Sequence, residues 1–247
     1  MVPRAADASA RRAHDVIPIL PGMQRIRLAT VIALVLVLAA TVAAAGCGGG
    51  GKSGSPGPEP ATPGQVEASV FNDPSRFVLA EQDLPEGYTV DRTNTRPIAN
   101  ADAAKGHDDA YLRQLQSWGR IAGYASGWLP GGSDAVGPLQ VQSSASTFET
   151  VGGAVDAFAQ GLKEVGTKYK QVDPDETIGE ESRMWTSSLD SGEVPLTVYA
   201  MAWRSGRVLA TIAVTGRAGR VSADDALAYA QRQQARIAGV AAKAIGK

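Results

Sequence analysis

Residues 195–215, PLTVYAMAWRSGRVLATIAVT, decide the fold of this chain. Both halves of the stretch are rich in β-branched and aromatic residues, which favour β-strands. The segment between them, Arg204-Ser205-Gly206-Arg207, contains a glycine, a residue typical of tight turns. The stretch therefore predicts a β-hairpin with strands over 195–203 and 208–215.

Other segments of the chain share this strand-forming character. They alternate apolar with polar residues or carry aromatic and β-branched side chains, and they predict strands over 88–91, 119–129, 139–145 and 182–189. The first of them follows Asp83-Leu84-Pro85-Glu86-Gly87-Tyr88, in which proline and glycine indicate a turn.

Apolar residues at helical spacing separate these strands. They predict helices over 108–118 and 150–165, and Ser222 with Asp225 predicts the cap of a last helix that runs nearly to the end. The apolar stripe of the second helix is Val151, Val155, Phe158, Leu162 and Val165. Runs of antiparallel strands between helices indicate an α+β fold, with one twisted antiparallel sheet packed by about three helices.

The amino-terminal part of the chain indicates export. Residues 23–46 contain a basic start, a long apolar run and the small residues Ala44, Ala45 and Gly46 before Cys47. This order resembles a bacterial lipoprotein signal with its lipobox, which implies cleavage before Cys47 and a lipid on that cysteine. The alternatives are an uncut membrane-spanning anchor and ordinary secretion.

These features divide the chain into four parts. Residues 1–22 are interpreted as a non-native extension before a start at Met23, and residues 23–46 as the signal peptide. Residues 47–69 are rich in Gly, Ser and Pro and are predicted to be a flexible tether. Residues 70–247 are predicted to form an extracytoplasmic domain, held at the cell membrane by the lipid.

Residues 46–53 also spell the phosphate-loop motif G-x-x-x-x-G-K-S. A phosphate loop needs a buried strand before it and a helix after it. Here three prolines, Pro56, Pro58 and Pro60, follow within a few residues and exclude that helix. We therefore expect no nucleotide at this motif.

Charge and composition exclude several other functions. The formal net charge is −1, which gives no reason to expect a nucleic-acid partner. Cys47 is the only cysteine, so the fold must stand without disulfides. Of the two histidines, His14 lies in the amino-terminal extension, and His107 alone favours neither a metal site nor a catalytic triad. The acidic segment 173–181 departs from the calcium-loop pattern and is interpreted as a solvated loop. No cofactor is predicted.

Several motifs together resemble a known group of proteins. The lipobox, the tether, "DLPEGY", "IGEES" and the hairpin are similar to those of actinobacterial-type envelope lipoproteins and sensor-like extracellular domains, some of which have a PsbP-like fold. The resemblance implies a non-enzymatic module that binds a ligand or partner outside the membrane. It transfers no set of functional residues.

Aromatic residues supply the one candidate ligand site. Tyr124 and Trp128 flank the loop Pro130-Gly131-Gly132, where we predict a cleft for a small molecule or lipid. The competing interpretation is that these side chains pack in the core. The predicted function is a membrane-anchored, non-catalytic binding or sensing module. The alternatives are a scaffold that binds an envelope protein and, less favoured, a hydrolase.

Overall fold

The structure is a computed structural model, and it describes residues 70–131, 137–165, 169–190 and 194–244. The predicted extension, signal peptide and tether (1–22, 23–46 and 47–69) lie outside the described residues, together with Cys47 and the motif at 46–53. Those interpretations stay predictions.

The described residues form eight strands and four α-helices. The strands are β1 Tyr88–Val90, β2 Arg96–Ile98, β3 Arg120–Pro130, β4 Gln140–Phe148, β5 Lys170–Val172, β6 Glu181–Leu189, β7 Leu196–Ser205 and β8 Val208–Arg217. The helices are α1 Asn100–Ala103, α2 Asp109–Ser117, α3 Val151–Val165 and α4 Ala223–Ala244. Two short 3-10 helices, Pro74–Phe77 and Glu81–Asp83, precede β1.

All strands belong to one antiparallel sheet, which confirms the predicted α+β class. The order across the sheet is β1-β3-β4-β8-β7-β6-β5, and β2 also pairs with β3, beside β1. The predicted hairpin is confirmed as β7 and β8 near the middle of the sheet, paired from Leu196 with Arg217 to Ser205 with Val208. Its turn contains Gly206 at a φ of 57°, a conformation that glycine adopts readily.

We call the side of the sheet covered by α4 the inner face. The segment 70–84 lies on the same side and packs against both the sheet and α4. The buried side chains here include Phe77, Leu79, Trp128, Val141, Met184, Met201, Trp203, Ile212, Val214, Ala226, Ala230 and Ile237. Ala226, Ala230 and Ile237 are the buried residues of α4 in this group.

We call the opposite side the outer face. Helices α1 and α2 pack there on β3 through Tyr111 and Leu115. Helix α3 packs on the other half, where Ala154 and Phe158 face Phe148 and Trp185. The sheet therefore lies between two layers of helices.

The predicted stripe of α3 is partly wrong. Val151 and Val155 are exposed, at 48% and 39%, whereas Phe158 and Val165 of the same stripe are buried as predicted. Ala154, which the stripe omits, is buried as well. A Cβ at Gly153 would collide with the carbonyl oxygen of Trp118, so this close approach fixes how the helix is rotated. The helix rests on the sheet through small residues, and its first two valines turn outward.

Candidate functional site

Trp128 lies in the core of the inner face. Its side chain is 7% exposed, and its indole N–H donates to Ser126 Oγ at 3.3 Å. Tyr124 is half-buried and packs against the same core. Both side chains therefore pack in the core, as the competing interpretation of the sequence expects. Whether either contacts a ligand stays a prediction.

The polar groups beneath Trp128 form a closed hydrogen-bond network. Ser126 Oγ donates to the carbonyl of Leu79 at 3.1 Å, and the Leu79 amide donates to Ser143 Oγ at 3.0 Å. Ser143 Oγ in turn donates to Gln233 Oε1 at 2.9 Å. The network ties the segment 70–84 to the sheet and to α4, so its role is structural.

A cleft of about 490 Å³ opens at the end of β3, next to the predicted loop. We call it the tyrosine cleft. Its described lining residues are Pro85, Glu86, Gly87, Tyr88, Pro130, Gly131, Gly137, Pro138, Asp225, Ala228, Tyr229 and Arg232. Tyr124 and Trp128 are not among them.

The turn before β1 builds one wall of the tyrosine cleft. Gly87 has a φ of 90°, and its carbonyl accepts a hydrogen bond from the amide of Gly131 at 2.5 Å. A Cβ at Gly131 would lie only 2.8 Å from that carbonyl oxygen, so the two backbones can meet here because residue 131 is glycine. The predicted turn is confirmed, and it holds Tyr88 at the end of β3.

Two phenol groups meet inside the tyrosine cleft. Tyr88 Oη donates to the carbonyl of Pro138 at 2.8 Å. Burial raises the pKa of Tyr88 well above its ordinary value, and the neighbouring Tyr229 and the carboxylate of Asp225 raise it further. Burial also raises the pKa of Tyr229, although Tyr88 and Arg232 act in the opposite direction. Both phenols therefore stay neutral at physiological pH and serve as hydrogen-bonding groups.

Charged groups of α4 complete the tyrosine cleft. Asp225 Oδ2 accepts hydrogen bonds from the amide and hydroxyl of Ser222, at 2.8 and 2.9 Å, which confirms the predicted cap. Arg232 Nη1 donates to the carbonyl of Asp83 at 2.8 Å, and its guanidinium carbon lies 5.3 Å from the centre of the Tyr229 ring. Both charges are thus held in place before any ligand arrives.

The lining residues of α4 were identifiable in the sequence. Asp225, Tyr229 and Arg232 are spaced by four and three residues, so they share one face of the predicted helix. Tyr88 belongs to the predicted turn. The sequence does not show that the turn and this helix face meet, because they are more than a hundred residues apart.

The acidic segment lies against the hairpin turn. Arg204 Nε binds Glu181 Oε1 at 2.7 Å, and the Gly206 amide donates to both carboxylate oxygens of Glu180 at 3.0 Å. Within the described ranges, no group of three or more His, Cys, Asp or Glu residues is placed to hold a metal ion. The ring of His107 lies against that of Tyr111, with centres 4.4 Å apart and planes tilted by 37°, beside the Asp108 cap of α2.

None of the described helices between residues 70 and 244 has both the length and the hydropathy that a membrane span requires.

The chain is similar to a solved structure but to no family model or curated protein. Its structure is similar to that of the extracellular domain of PknH from Mycobacterium tuberculosis, with a TM-score of 0.38 and 9% identity. The match covers 67% of this chain and 94% of that chain. A likeness of this size shows neither family nor function, so the function is argued from the geometry of the site.

Proposed function

We propose that this chain is an extracytoplasmic binding module, anchored by a lipid on Cys47, that holds a small ligand in the tyrosine cleft without changing it chemically. The observation that carries the proposal is the meeting of Tyr88, Tyr229 and Arg232 in one cleft. A concave site with apolar walls and a few converging polar groups is the usual form of a ligand site. Here Pro85, Pro130 and the tyrosine rings supply the apolar walls.

The chemistry of the lining supports binding over catalysis. A phenol with a raised pKa is a poor general base and a poor nucleophile at neutral pH. The carboxylate of Asp225 is used by the helix cap, and Arg232 is held by a backbone carbonyl. These groups orient a ligand through hydrogen bonds, and none of them is poised to move a proton.

The lining also favours an uncharged polar ligand. Glu86 and Asp225 disfavour an anion, and the guanidinium of Arg232 disfavours a cation. A neutral hydroxyl group both donates and accepts, so it can hydrogen-bond to a phenol, a carboxylate and a guanidinium. We therefore propose a small hydroxyl-bearing molecule with an apolar face that packs on the prolines and rings.

The anchor is proposed from the order of basic, apolar and small residues before Cys47. The full chain, expressed in a bacterium that processes lipoproteins, is expected to enter the detergent phase on phase separation. A Cys47→Ser variant, which has no thiol to carry the lipid, is expected to shift toward the aqueous phase. Equal partitioning of the two chains would contradict lipidation at this residue.

Native mass spectrometry tests the tyrosine cleft. Full-length protein purified from its own envelope is expected to retain a small molecule, and a Tyr88→Phe/Tyr229→Phe variant is expected to lose it. Tyr124→Phe is the matched control, because Tyr124 is half-buried on the same face and does not line the cleft. Retention by the double variant, together with loss in the control, would move the site to the residues predicted from sequence. If the wild-type protein and both variants all carry no small molecule, the proposed function is contradicted.

A further inference from the structure

The predicted tether carries four prolines within eight residues. We call residues 56–63, PGPEPATP, the proline segment. Proline fixes its backbone φ at about −65° and has no N–H to donate, so such a sequence favours the extended polyproline II helix, which makes no internal hydrogen bonds. The proline segment therefore offers apolar rings and carbonyl acceptors, and its partners must supply the donors.

The tyrosine cleft has the complementary lining. Grooves with aromatic walls are the usual binding sites of polyproline II segments, because aromatic rings pack on prolines and their polar tips donate to the carbonyls. Tyr88 already makes such a contact inside the protein, since its hydroxyl donates to the carbonyl of Pro138 at 2.8 Å. Tyr229 and Arg232 line the same cleft and carry further donor groups. The cleft is therefore suited to an extended, proline-rich occupant.

The proline segment lies within reach of the tyrosine cleft. The described domain starts at the hairpin end of β8, where the ring of Phe71 lies 3.9 Å from the guanidinium carbon of Arg207. The cleft opens past the other end of β8, where the amide of Leu139 donates to the carbonyl of Thr215. Residues 207 and 215 are eight residues apart, which is about 26 Å in an extended strand. Ten residues link Pro60 to the first described residue, and they span up to about 33 Å.

Charge favours one placement of the proline segment in the cleft. Glu59 is the one charged residue of the segment, and Arg232 is an exposed cation of the described lining. Asp225 lies seven residues before Arg232 on α4, which is about 10 Å along the helix. The carboxylate of Glu59 can therefore lie beside Arg232 and away from the like charge of Asp225, while the prolines face the tyrosine rings.

We infer that the proline segment docks in the tyrosine cleft of its own chain, and that the ligand of the cleft displaces it. The second part rests on the proposed function. A short flexible link holds the segment near the cleft at an effective concentration on the order of millimolar, so a Kd of about 1 mM is enough to fill half of the clefts. Ligand binding then releases the tether and lets the domain move away from the membrane. The cleft thereby converts ligand occupancy into a longer tether.

A spin label on the tether tests the docking without any ligand. Cys47→Ser removes the only thiol of the chain, and Ser55→Cys places a new thiol directly before the proline segment. A nitroxide on that thiol broadens the signals of nearby amides in ¹H–¹⁵N spectra of the full chain in mild detergent. The amides of Gly87 and Gly131 report on the tyrosine cleft, and that of Gly206 reports on the hairpin turn at the opposite end of β8.

The label is expected to broaden the two cleft amides more than the hairpin amide. Pro58→Ala/Pro60→Ala is expected to abolish this difference, because it removes two rings and loosens the backbone. Ala61→Ser/Thr62→Ser is the matched control, since it changes two residues of the same segment, keeps all four prolines and should keep the difference. Purified from its own envelope, the Pro58→Ala/Pro60→Ala chain is also expected to carry the small molecule more often, with an apparent affinity about twofold higher.

Three results would overturn the docking. Equal broadening at the cleft and the hairpin, or loss of the difference in the control variant, would show that the prolines do not bind the cleft. Broadening of ¹⁵N chains without a label, when mixed with spin-labelled chains, would place the segment in the cleft of a second copy.

The docking and the proposed function can fail separately. Broadening at the cleft in a protein that carries no small molecule would keep the docking and contradict the proposed ligand. A retained small molecule without broadening would do the reverse. Docking with no change in the loaded fraction of the Pro58→Ala/Pro60→Ala chain would contradict displacement. All these substitutions lie before residue 70, outside the folded domain, so they test binding and not folding.

Discussion

Two buried glutamines lie on opposite faces of the same sheet and differ in every hydrogen bond. Gln233 of α4 is 0% exposed on the inner face, where its Nε2 donates to the carbonyls of Phe77 and Ser144 and its Oε1 accepts from Ser143. Gln142 of β4, on the outer face, has none of these partners. The amide of Gln233 thus stabilises the fold through its hydrogen bonds, whereas the amide of Gln142 makes none.

The difference separates the two faces by role. On the inner face the polar groups are enclosed by the segment 70–84 and by α4, and they satisfy one another. On the outer face the helices cover the two halves of the sheet, and Ser144 and Thr211 on the strands between them are half-buried. A closed network stabilises the fold, whereas the buried amide of Gln142 without a partner costs stability.

The largest expected effect is that of Trp128→Ala on the inner face. Removing a buried tryptophan leaves a cavity and should lower the free energy of unfolding by about 3–5 kcal/mol, which lowers the Tm by about 10 °C. Val90→Ala is the matched control, because Val90 pairs with Trp128 across the strands and is 41% exposed. If Trp128→Ala lowers the free energy of unfolding no more than Val90→Ala does, Trp128 does not stabilise the inner face. That result would favour a cleft at this residue.

Gln233→Met should have the next largest effect. The methionine fills the space but leaves the hydroxyl of Ser143 and the carbonyl of Phe77 without their partner, which should cost about 3 kcal/mol. Gln231→Met is the control on the same helix, since Gln231 makes one exposed hydrogen bond to Glu176. Denaturant unfolding of the three proteins measures the difference. If Gln233→Met is as stable as wild type, the inner network does not hold the fold.

Part of the fold could be predicted from the sequence. The hairpin, the three longer helices and the cap at Ser222 follow from local patterns, because each depends on residues close together in the chain. Strands β2 and β5 were missed, since three residues are too few to show a period and each is defined by its partner strand. The rotation of α3 was also missed, because it depends on contact between Gly153 and Trp118.

The sites were harder to predict than the fold. The sequence gives Gln140 and Gln142 the same place in an alternating strand, and only the tertiary structure puts Asp91 beside the first and leaves the second without a partner. The tyrosine cleft likewise joins Tyr88, Pro138 and Tyr229, which lie in three distant segments. The predicted loop adjoins this cleft, but Tyr124 and Trp128 point to the core beside it.

Alkaline pH is expected to lower the stability of the protein through the two phenols of the tyrosine cleft. The pKa of Tyr88 and that of Tyr229 are raised in the folded state above the ordinary value of 10.0. Their contribution to stability is therefore complete below about pH 10 and is lost as the pH rises through the folded-state values. The Tm measured from about pH 7 to 11 should fall at the alkaline end.

The Tyr88→Phe/Tyr229→Phe variant serves as the control for this titration. It should show a shallower fall, with a residual slope from Tyr169, whose pKa is also raised by burial. An equally steep fall in the double variant would mean that the phenols of the tyrosine cleft are not the groups that titrate.

The smallest expected effect comes from two adjacent serines of β4 that point to opposite faces. Ser143 is buried in the inner network, where its hydroxyl accepts from the amide of Leu79 and donates to Gln233. Ser143→Ala should cost about 2 kcal/mol, because both partners lose a buried hydrogen bond. Ser144 is half-buried on the outer face, where its hydroxyl bonds that of Thr211, so water can replace it. Ser144→Ala should therefore cost less than about 0.5 kcal/mol. Its backbone carbonyl, which accepts from Gln233, is untouched by this change. Equal losses at the two serines would show that the hydroxyl of Ser144 is held as firmly on the outer face as that of Ser143 is in the inner network.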